Sequence, residues 1–317
     1  MSRAKLKPFL KWAGGKTQLL EEIKKHYPTD FNKYAEPFIG GGAVFFDILN
    51  TFDLESLYIS DSNAELINIY QQIKENVSAL IESLQILQDE YLPLDTDGRK
   101  EYFYQKRDSF NSLKRENILT VETASLFIFL NKTCFNGLYR VNSKGDFNVP
   151  MGSYKKPIIC DAENLRNISE ALKNVIIVNA DYKQSDAFID DKTFAYFDPP
   201  YRPLNVTSSF NSYTENDFND QSQTELAEYI QSLVDRGVYV IASNSDPKNT
   251  NPNDDFFDDL YSKMTIHRIS ANRMINSNAE SRGKINELLI VGGKKWKEIL
   301  EIGYLSLDGV SAVMITM

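Results

Sequence analysis

Residues Asp198-Pro199-Pro200-Tyr201 bring a carboxylate, rigid main-chain carbonyls and an aromatic ring into four consecutive positions. They follow Phe194-Ala-Tyr-Phe197, an apolar run that reads as a buried strand. Two prolines cannot continue a strand ladder, so the chain must leave the sheet immediately after Asp198. The group therefore sits at the carboxyl end of a strand, where open α/β sheets bind ligands. An exocyclic amine such as adenine N6 is a poor nucleophile, because its lone pair is delocalised into the ring. Asp198 and the Pro199 carbonyl, each accepting one of its hydrogens, would favour a pyramidal nitrogen with its lone pair aimed at an electrophile. Tyr201 would stack on the base and hold it outside the duplex, since an enzyme cannot reach that atom in stacked DNA. The competing reading is a strand-ending turn with a solvent-facing Asp198.

A second cluster, Glu36-Pro-Phe38-Ile-Gly40-Gly-Gly42, closes one predicted strand and opens a helical stretch. Glycines there permit a tight turn and close approach of a ligand to the main chain. The spacing is not a full GxGxxG, so either a nucleotide-like site or a simple turn accounts for it. About 20 residues further on, at the end of the next strand, Asp61 stands where α/β nucleotide folds hold ribose hydroxyls. The alternative there is helix N-capping by Asp61 or Ser62. The segment Lys11-Trp12-Ala-Gly-Gly-Lys16-Thr17 lacks both the GxxxxGK spacing and a preceding strand, which argues against a phosphate loop. A buried Trp12 packing on an adenine or a methionine-like chain, beside a Lys16 that meets a carboxylate, fits these residues better.

The elements that must hold these groups alternate. Seven apolar or β-branched runs (34–38, 57–60, 175–178, 194–197, 238–242, 264–269 and 287–291) read as strands. Several are apolar on consecutive positions, as in strands buried on both faces of a largely parallel sheet. Helical patterns lie between them, one running from Asn63 through Leu92 and another following Gln221, so the expected class is α/β. Residues 79–160 break the alternation with amphipathic helices and then a Gly, Asn and Pro-punctuated stretch, and are expected to form an inserted recognition domain. Residues 1–78 and 161–293 form the main domain, and 294–317 a C-terminal extension. The chain's 317 residues are enough for such a division. No apolar run approaches a membrane span or a signal peptide, which suggests a cytoplasmic protein. Two cysteines without a CxxC pair and two histidines supply neither a disulfide framework nor a zinc set.

The order KWAGGK, EPFIGGG, SDSN, an insert and then DPPY resembles the DNA adenine N6-methyltransferases, over almost the whole length from Lys7 to about Val291. The resemblance implies a Rossmann-like class I methyltransferase fold, with a mixed, mostly parallel seven-stranded sheet and a helical and hairpin recognition insert. It implies S-adenosylmethionine as cofactor, double-stranded DNA as partner, a monomer, and no metal. Asp198, Pro199, Pro200 and Tyr201 become the catalytic residues. Trp12, Lys16, Phe38, Gly40, Gly42, Asp61 and Asp198 become cofactor-binding. Asp181 and Tyr182 are carried into the cofactor-binding set as well, with a role beside the displaced adenine.

The insert, with Asn131-Lys-Thr-Cys-Phe135-Asn136-Gly-Leu138-Tyr-Arg140 and Asp146-Phe-Asn-Val-Pro150, resembles the Dam-type, GATC-specific subgroup. By that resemblance Phe135 wedges into the base stack, Asn136 fills space near the displaced base, Leu138 and Pro150 meet a thymine methyl, and Arg140 and Lys11 read guanines. The residue types suit these roles, since Arg and Lys match guanine O6 and N7 and apolar groups match the thymine methyl. An intercalating aromatic also offsets unstacking. Phosphate binding is the alternative for Arg140 and Lys11. The segment 271–284 offers either phosphate contacts or a solvated loop, and the Ser and Asn-rich stretch 202–213 is expected to close over the flipped base. Rival readings are methylation of another exocyclic amine or another site, and a DNA-binding module without turnover.

The formal net charge of −9 speaks against a uniformly basic nucleic-acid binder. Its distribution is polarised, however. Residues 1–25 hold seven basic against two acidic side chains, and residues 131–157 hold five against one. Acid is concentrated elsewhere, as in 253–259.

Overall fold

The computed structural model describes residues 5–12, 14–202, 218–272 and 284–293. The segments 203–213 and 273–283 and the extension 294–317, to which the sequence assigns loop or terminal roles, lie outside the described residues. Seven strands form one sheet: β1 (Lys33–Glu36), β2 (Ser56–Asp61), β3 (Val175–Asn179), β4 (Thr193–Phe197), β5 (Tyr239–Ser245), β6 (Thr265–Asn272) and β7 (Lys284–Gly292). Their order is β3-β2-β1-β4-β5-β7-β6. The first five are parallel, β7 runs antiparallel to β5, and β6 closes the edge as an antiparallel partner of β7. This is the mostly parallel α/β sheet that the strand pattern implied, in the Rossmann-like seven-stranded form that the resemblance implied.

Side chains alternate along each strand, so successive residues serve different faces. Tyr34, Ile59, Phe194, Tyr196 and Ile241 belong to one apolar cluster. Their neighbours Ala35, Tyr58, Ala195, Phe197 and Val240 belong to a second. The first cluster lies under α2 (Ala43–Thr51), α3 (Ala64–Glu75), α4 (Val77–Tyr91), α5 (Thr96–Arg115), α6 (Val121–Thr133) and α7 (Ala162–Leu172). The second lies under α8 (Asp220–Asp235) and α9 (Phe256–Leu260). A short α1 (Leu20–Lys24) follows the N-terminal strap. Because central strands are covered on both faces, they read as continuous apolar runs.

Two expectations need correction. The helical pattern from Asn63 through Leu92 is two helices, since Asn76 leaves helical geometry (φ −131°, ψ 33°) while its N–H still reaches the Gln72 carbonyl. The periodicity survives the break because Ile73, Leu80 and Leu84 all enter the same core. The boundary expected between residues 78 and 79 consequently falls inside α4. The inserted helices also share their core with the sheet: Leu80, Phe103, Phe110 and Phe127 join the cluster that contains Tyr34 and Phe194.

After α6 the chain forms a hairpin-like excursion, bridged at Cys134–Met151 and Val141–Phe147. The Asn142 side chain accepts from Lys144 N and Asp146 N and shapes its tip. Asn111 of α5 pins the returning arm by accepting from Phe147 N (2.8 Å) and donating to the Phe147 carbonyl (3.1 Å). At the base of the hairpin, buried Asn131 accepts from Lys11 N (2.9 Å) and donates to the carbonyls of Lys11 (2.7 Å) and Gly137 (2.9 Å). Gly137 has φ +65°, and a Cβ there would stand 2.5 Å from Lys11 Cβ. Replacing Asn131 with Leu would strand three main-chain groups and should cost about 3 kcal/mol in denaturant unfolding. A loss below about 0.5 kcal/mol, the ordinary size of a surface substitution, would show that the strap is held by packing alone.

Candidate active site

The strand order reverses between β1 and β4, the place where doubly wound sheets open a crevice at their carboxyl ends. A cavity of about 1810 Å³ lies there. All of the expected catalytic and cofactor residues line it: Trp12, Lys16, Phe38, Gly40, Gly42, Asp61, Asp181, Tyr182, Asp198, Pro199, Pro200 and Tyr201. Lys11, Asn136 and Leu138 of the expected DNA-binding set also reach it. Phe135, Arg140 and Pro150 do not; they stand exposed on the adjoining hairpin, where Phe135 N donates to the Pro150 carbonyl at 2.8 Å. Arg140 bonds through Nε to Asn148 Oδ1 (2.7 Å) across the same hairpin.

Asp198 is held at both oxygens. Oδ2 meets Lys16 Nζ at 2.7 Å, and Oδ1 accepts from Ser243 Oγ at 3.1 Å. The Lys16 side chain is 3% exposed and also donates to the Gly14 carbonyl. Its ammonium stands 4.7 Å from the centre of the Tyr201 ring. The Tyr201 hydroxyl donates to Glu287 Oε2 (2.7 Å), and burial beside Asp198 and Glu287 lifts its pKa well above the usual phenol range. The Pro200 carbonyl is taken by Gln223 Nε2 (2.9 Å), which Asn244 in turn fixes. Among the described residues nothing donates to the Pro199 carbonyl.

At the other end of the cavity, Asp61 Oδ2 accepts from Gly40 N (3.1 Å) and Oδ1 from Asn63 N (2.9 Å). Desolvation nonetheless raises its pKa above the ordinary aspartate value. The cap of α3 is Asn63, whose side chain accepts from Leu66 N, and not Asp61 or Ser62. Gly40 has φ +46°, and a Cβ there would stand 2.9 Å from the Trp12 ring, so the glycine turn and the strap are in contact. Trp12 in turn stacks on Tyr139 of the insert (5.7 Å, 18°), and Tyr139 on Phe127 (4.9 Å, 18°).

Asp181 and Tyr182 line the same cavity as Asp198. They follow β3, and the strand order puts β2 and β1 between β3 and β4. Tyr182 stacks on Phe38 (5.5 Å, 27°).

The sequence also left several contributors without an assigned role. Glu36 lines the cavity and is 2% exposed. The Tyr34 hydroxyl donates to it at 2.5 Å, and burial holds its pKa well above the usual carboxylate range, with the nearby Asp198 charge acting in the same direction. Ser243 and Glu287 come from β5 and β7. An acid ending an apolar strand, and the polar run Ser243-Asn-Ser-Asp246 ending another, were the available signals.

A family model for the D12 class N6 adenine-specific DNA methyltransferase matches residues 12–275. The chain belongs to that family. The Type II methyltransferase M.MjaIII of Methanocaldococcus jannaschii is 49% identical over 292 residues, covering 90% of this chain and 99% of that protein. The Type II methyltransferase M1.LlaDCHI of Lactococcus lactis subsp. cremoris is 40% identical, covering 91% and 96%. The DNA adenine methylase of Escherichia coli K12 is 37% identical, covering 90% and 95%. The protein is therefore an adenine-specific DNA methyltransferase dependent on S-adenosylmethionine.

The cavity of this methyltransferase suits that cofactor chemically. Asp61 offers a carboxylate for ribose hydroxyls, and Phe38 with Tyr182 offers aromatic faces for an adenine. Lys16 and Asp198 put both signs of charge on the cavity wall, which matches the chemistry of a zwitterionic methionine end. Among the described residues no helix is long and apolar enough to cross a membrane.

Glu36 also gives the methyltransferase a pH signature. Its folded pKa lies above the unfolded value, so its contribution to stability is full below the unfolded pKa and is lost as pH rises through the folded one. Glu36→Gln keeps an acceptor for Tyr34 and cannot ionise. It should melt level with the wild type near about pH 4 and gain on it progressively towards about pH 8. Parallel melting curves across that range would rule out a buried neutral carboxyl.

Proposed function

We propose that this methyltransferase acts on adenine within GATC in double-stranded DNA, taking the target base out of the helix into the cavity. The juxtaposition of Lys11, Asn136 and Leu138 at the cavity that holds Asp198, with Phe135, Arg140 and Pro150 exposed on the same hairpin, carries this reading. The two basic segments of the sequence meet there, because Asn131 ties the strap at Lys11 to the hairpin at Gly137. A volume of about 1810 Å³ exceeds the roughly 300 to 1,000 Å³ of a single small-molecule site, which leaves room for a nucleoside beside the cofactor.

In this reading the helices and hairpin from Val77 to Cys160 form the recognition unit. S-adenosylmethionine, when bound, supplies a methyl group on a sulfonium. Trp12, Phe38, Gly40, Gly42, Asp61, Asp181 and Tyr182 hold that cofactor. Asp198 and the Pro199 carbonyl accept the two N6 hydrogens, and Pro200 turns the chain so that the Tyr201 ring stacks on the base. Lys16 balances the Asp198 charge in a largely desolvated place. Phe135 fills the gap in the base stack with Asn136 beside it, Leu138 and Pro150 meet thymine methyls, and Arg140 and Lys11 read guanines. Binding should weaken steeply with salt despite the acidic net charge, since the contact face is basic.

The direct test is transfer of labelled methyl groups to paired duplexes that carry GATC or a scrambled site. Label confined to GATC and recovered as N6-methyladenine is the expected result; equal labelling of both duplexes would overturn the specificity. A duplex with 2-aminopurine at the target position should brighten on binding, and an unchanged signal would count against extrusion of the base. Arg140→Ala should lose about 1 to 3 kcal/mol of discrimination at one base pair while still methylating. An unchanged preference would assign Arg140 to a phosphate instead.

A further inference from the structure

The β4 to β5 register pairs Phe197 with Ala242 and so sets the next residues of the two strands, Asp198 and Ser243, side by side at the sheet's carboxyl edge. Tyr196 lies two residues before Asp198, on the same face of β4, and its hydroxyl stands 2.9 Å from Ser243 Oγ. Tyr196 is 0% exposed and Ser243 2% exposed, so neither hydroxyl exchanges its partner for water.

We propose that Tyr196 and Ser243 are positioning residues for methyl transfer, a two-hydroxyl chain that fixes the plane of the Asp198 carboxylate. This rests on the reading of Asp198 as the acceptor for adenine N6. The proton order follows from the chemistry of the groups. An ionised carboxylate only accepts, so Ser243 donates to Asp198 Oδ1, and its own oxygen must then accept from Tyr196. Burial beside Asp198 and Glu36 pushes the Tyr196 phenol well above its usual range, which keeps it a donor. Among the described residues the Tyr196 hydroxyl bonds to Ser243 alone, so the chain's part is to orient the carboxylate.

Lys16 secures the other oxygen, Oδ2, at 2.7 Å. Turning the carboxylate about its Cβ–Cγ bond would break one contact or the other, so the two together define one orientation. Loss of the Ser243 contact leaves the ion pair intact and frees the rotation. The expected effect is therefore on the transfer step, where misplacement by about 1 Å costs on the order of 100-fold, and not on cofactor affinity.

The test uses the full chain with S-adenosylmethionine and a duplex that the wild type methylates. Ser243→Ala should lower kcat about 10- to 100-fold with the KM for cofactor within about twofold. S-adenosylhomocysteine, used as a binding probe in calorimetry, should bind both proteins alike. Tyr196→Phe, which keeps the ring in the core, should also lower kcat, and the double variant should be no slower than Ser243→Ala, because both substitutions break one chain. An unchanged kcat in Ser243→Ala, a loss confined to KM, or effects that multiply in the double variant would each overturn the proposal. If Ser243→Ala melts below assay temperature, Tyr196→Phe decides, and wild-type kcat in that variant overturns it. Asp198→Ala is run in parallel: an active Asp198→Ala would overturn the reading of Asp198 itself, whereas an inactive one beside a fully active Ser243→Ala would overturn only the relay.

Discussion

One buried amide holds the two halves of this methyltransferase in register. Asn131, at the end of α6, grips the main chain of Lys11 from both sides and holds the Gly137 carbonyl as well. The strap from Leu10 to Lys16 then has no freedom to slide. Lys11 faces the hairpin, Trp12 is pressed between the Gly40 turn and Tyr139, and Lys16 arrives at Asp198. A hydrogen bond of this kind contributes only about 1 kcal/mol net, but leaving its buried partners unmet costs more, and that asymmetry makes the arrangement unique.

The charges in the cavity follow a similar logic. Two carboxyl groups, Glu36 and Asp198, and one ammonium, Lys16, share a desolvated wall. Burial raises the proton affinity of Glu36, whose partner is a tyrosine hydroxyl, while Asp198 has the ion pair. The wall therefore balances one negative against one positive charge. Acidic side chains outnumber basic ones elsewhere in the chain, as around Arg202, which pairs with both Asp220 and Asp254, and Arg268, which pairs with both Asp246 and Asp258. That distribution is why a net charge of −9 coexists with a basic face around Lys11 and Arg140.

Much of the fold was legible because local chemistry dictated it. Double-proline termination placed Asp198 at a strand end, consecutive apolar residues marked strands covered on both faces, and glycines with positive φ marked the turn after β1. The single long helix read through Asn76 failed because periodicity reports only which face is buried, and both α3 and α4 bury theirs in one core. Strand order, by contrast, is not carried by any motif. The sheet puts β3 at one edge, and Tyr182, which follows it, stacks on Phe38, which follows β1.

The sequence by itself determined the residue types that do chemistry and the strand ends on which they stand, because turn-forming prolines and glycines act over a few bonds. Only the tertiary structure decided their partners. Ser243 reaches Asp198, and Glu287 reaches Tyr201, because β4, β5 and β7 are adjacent in the sheet although 45 and 86 residues separate the paired side chains in the chain. Contacts of that range are set by strand order and burial, which no local pattern encodes.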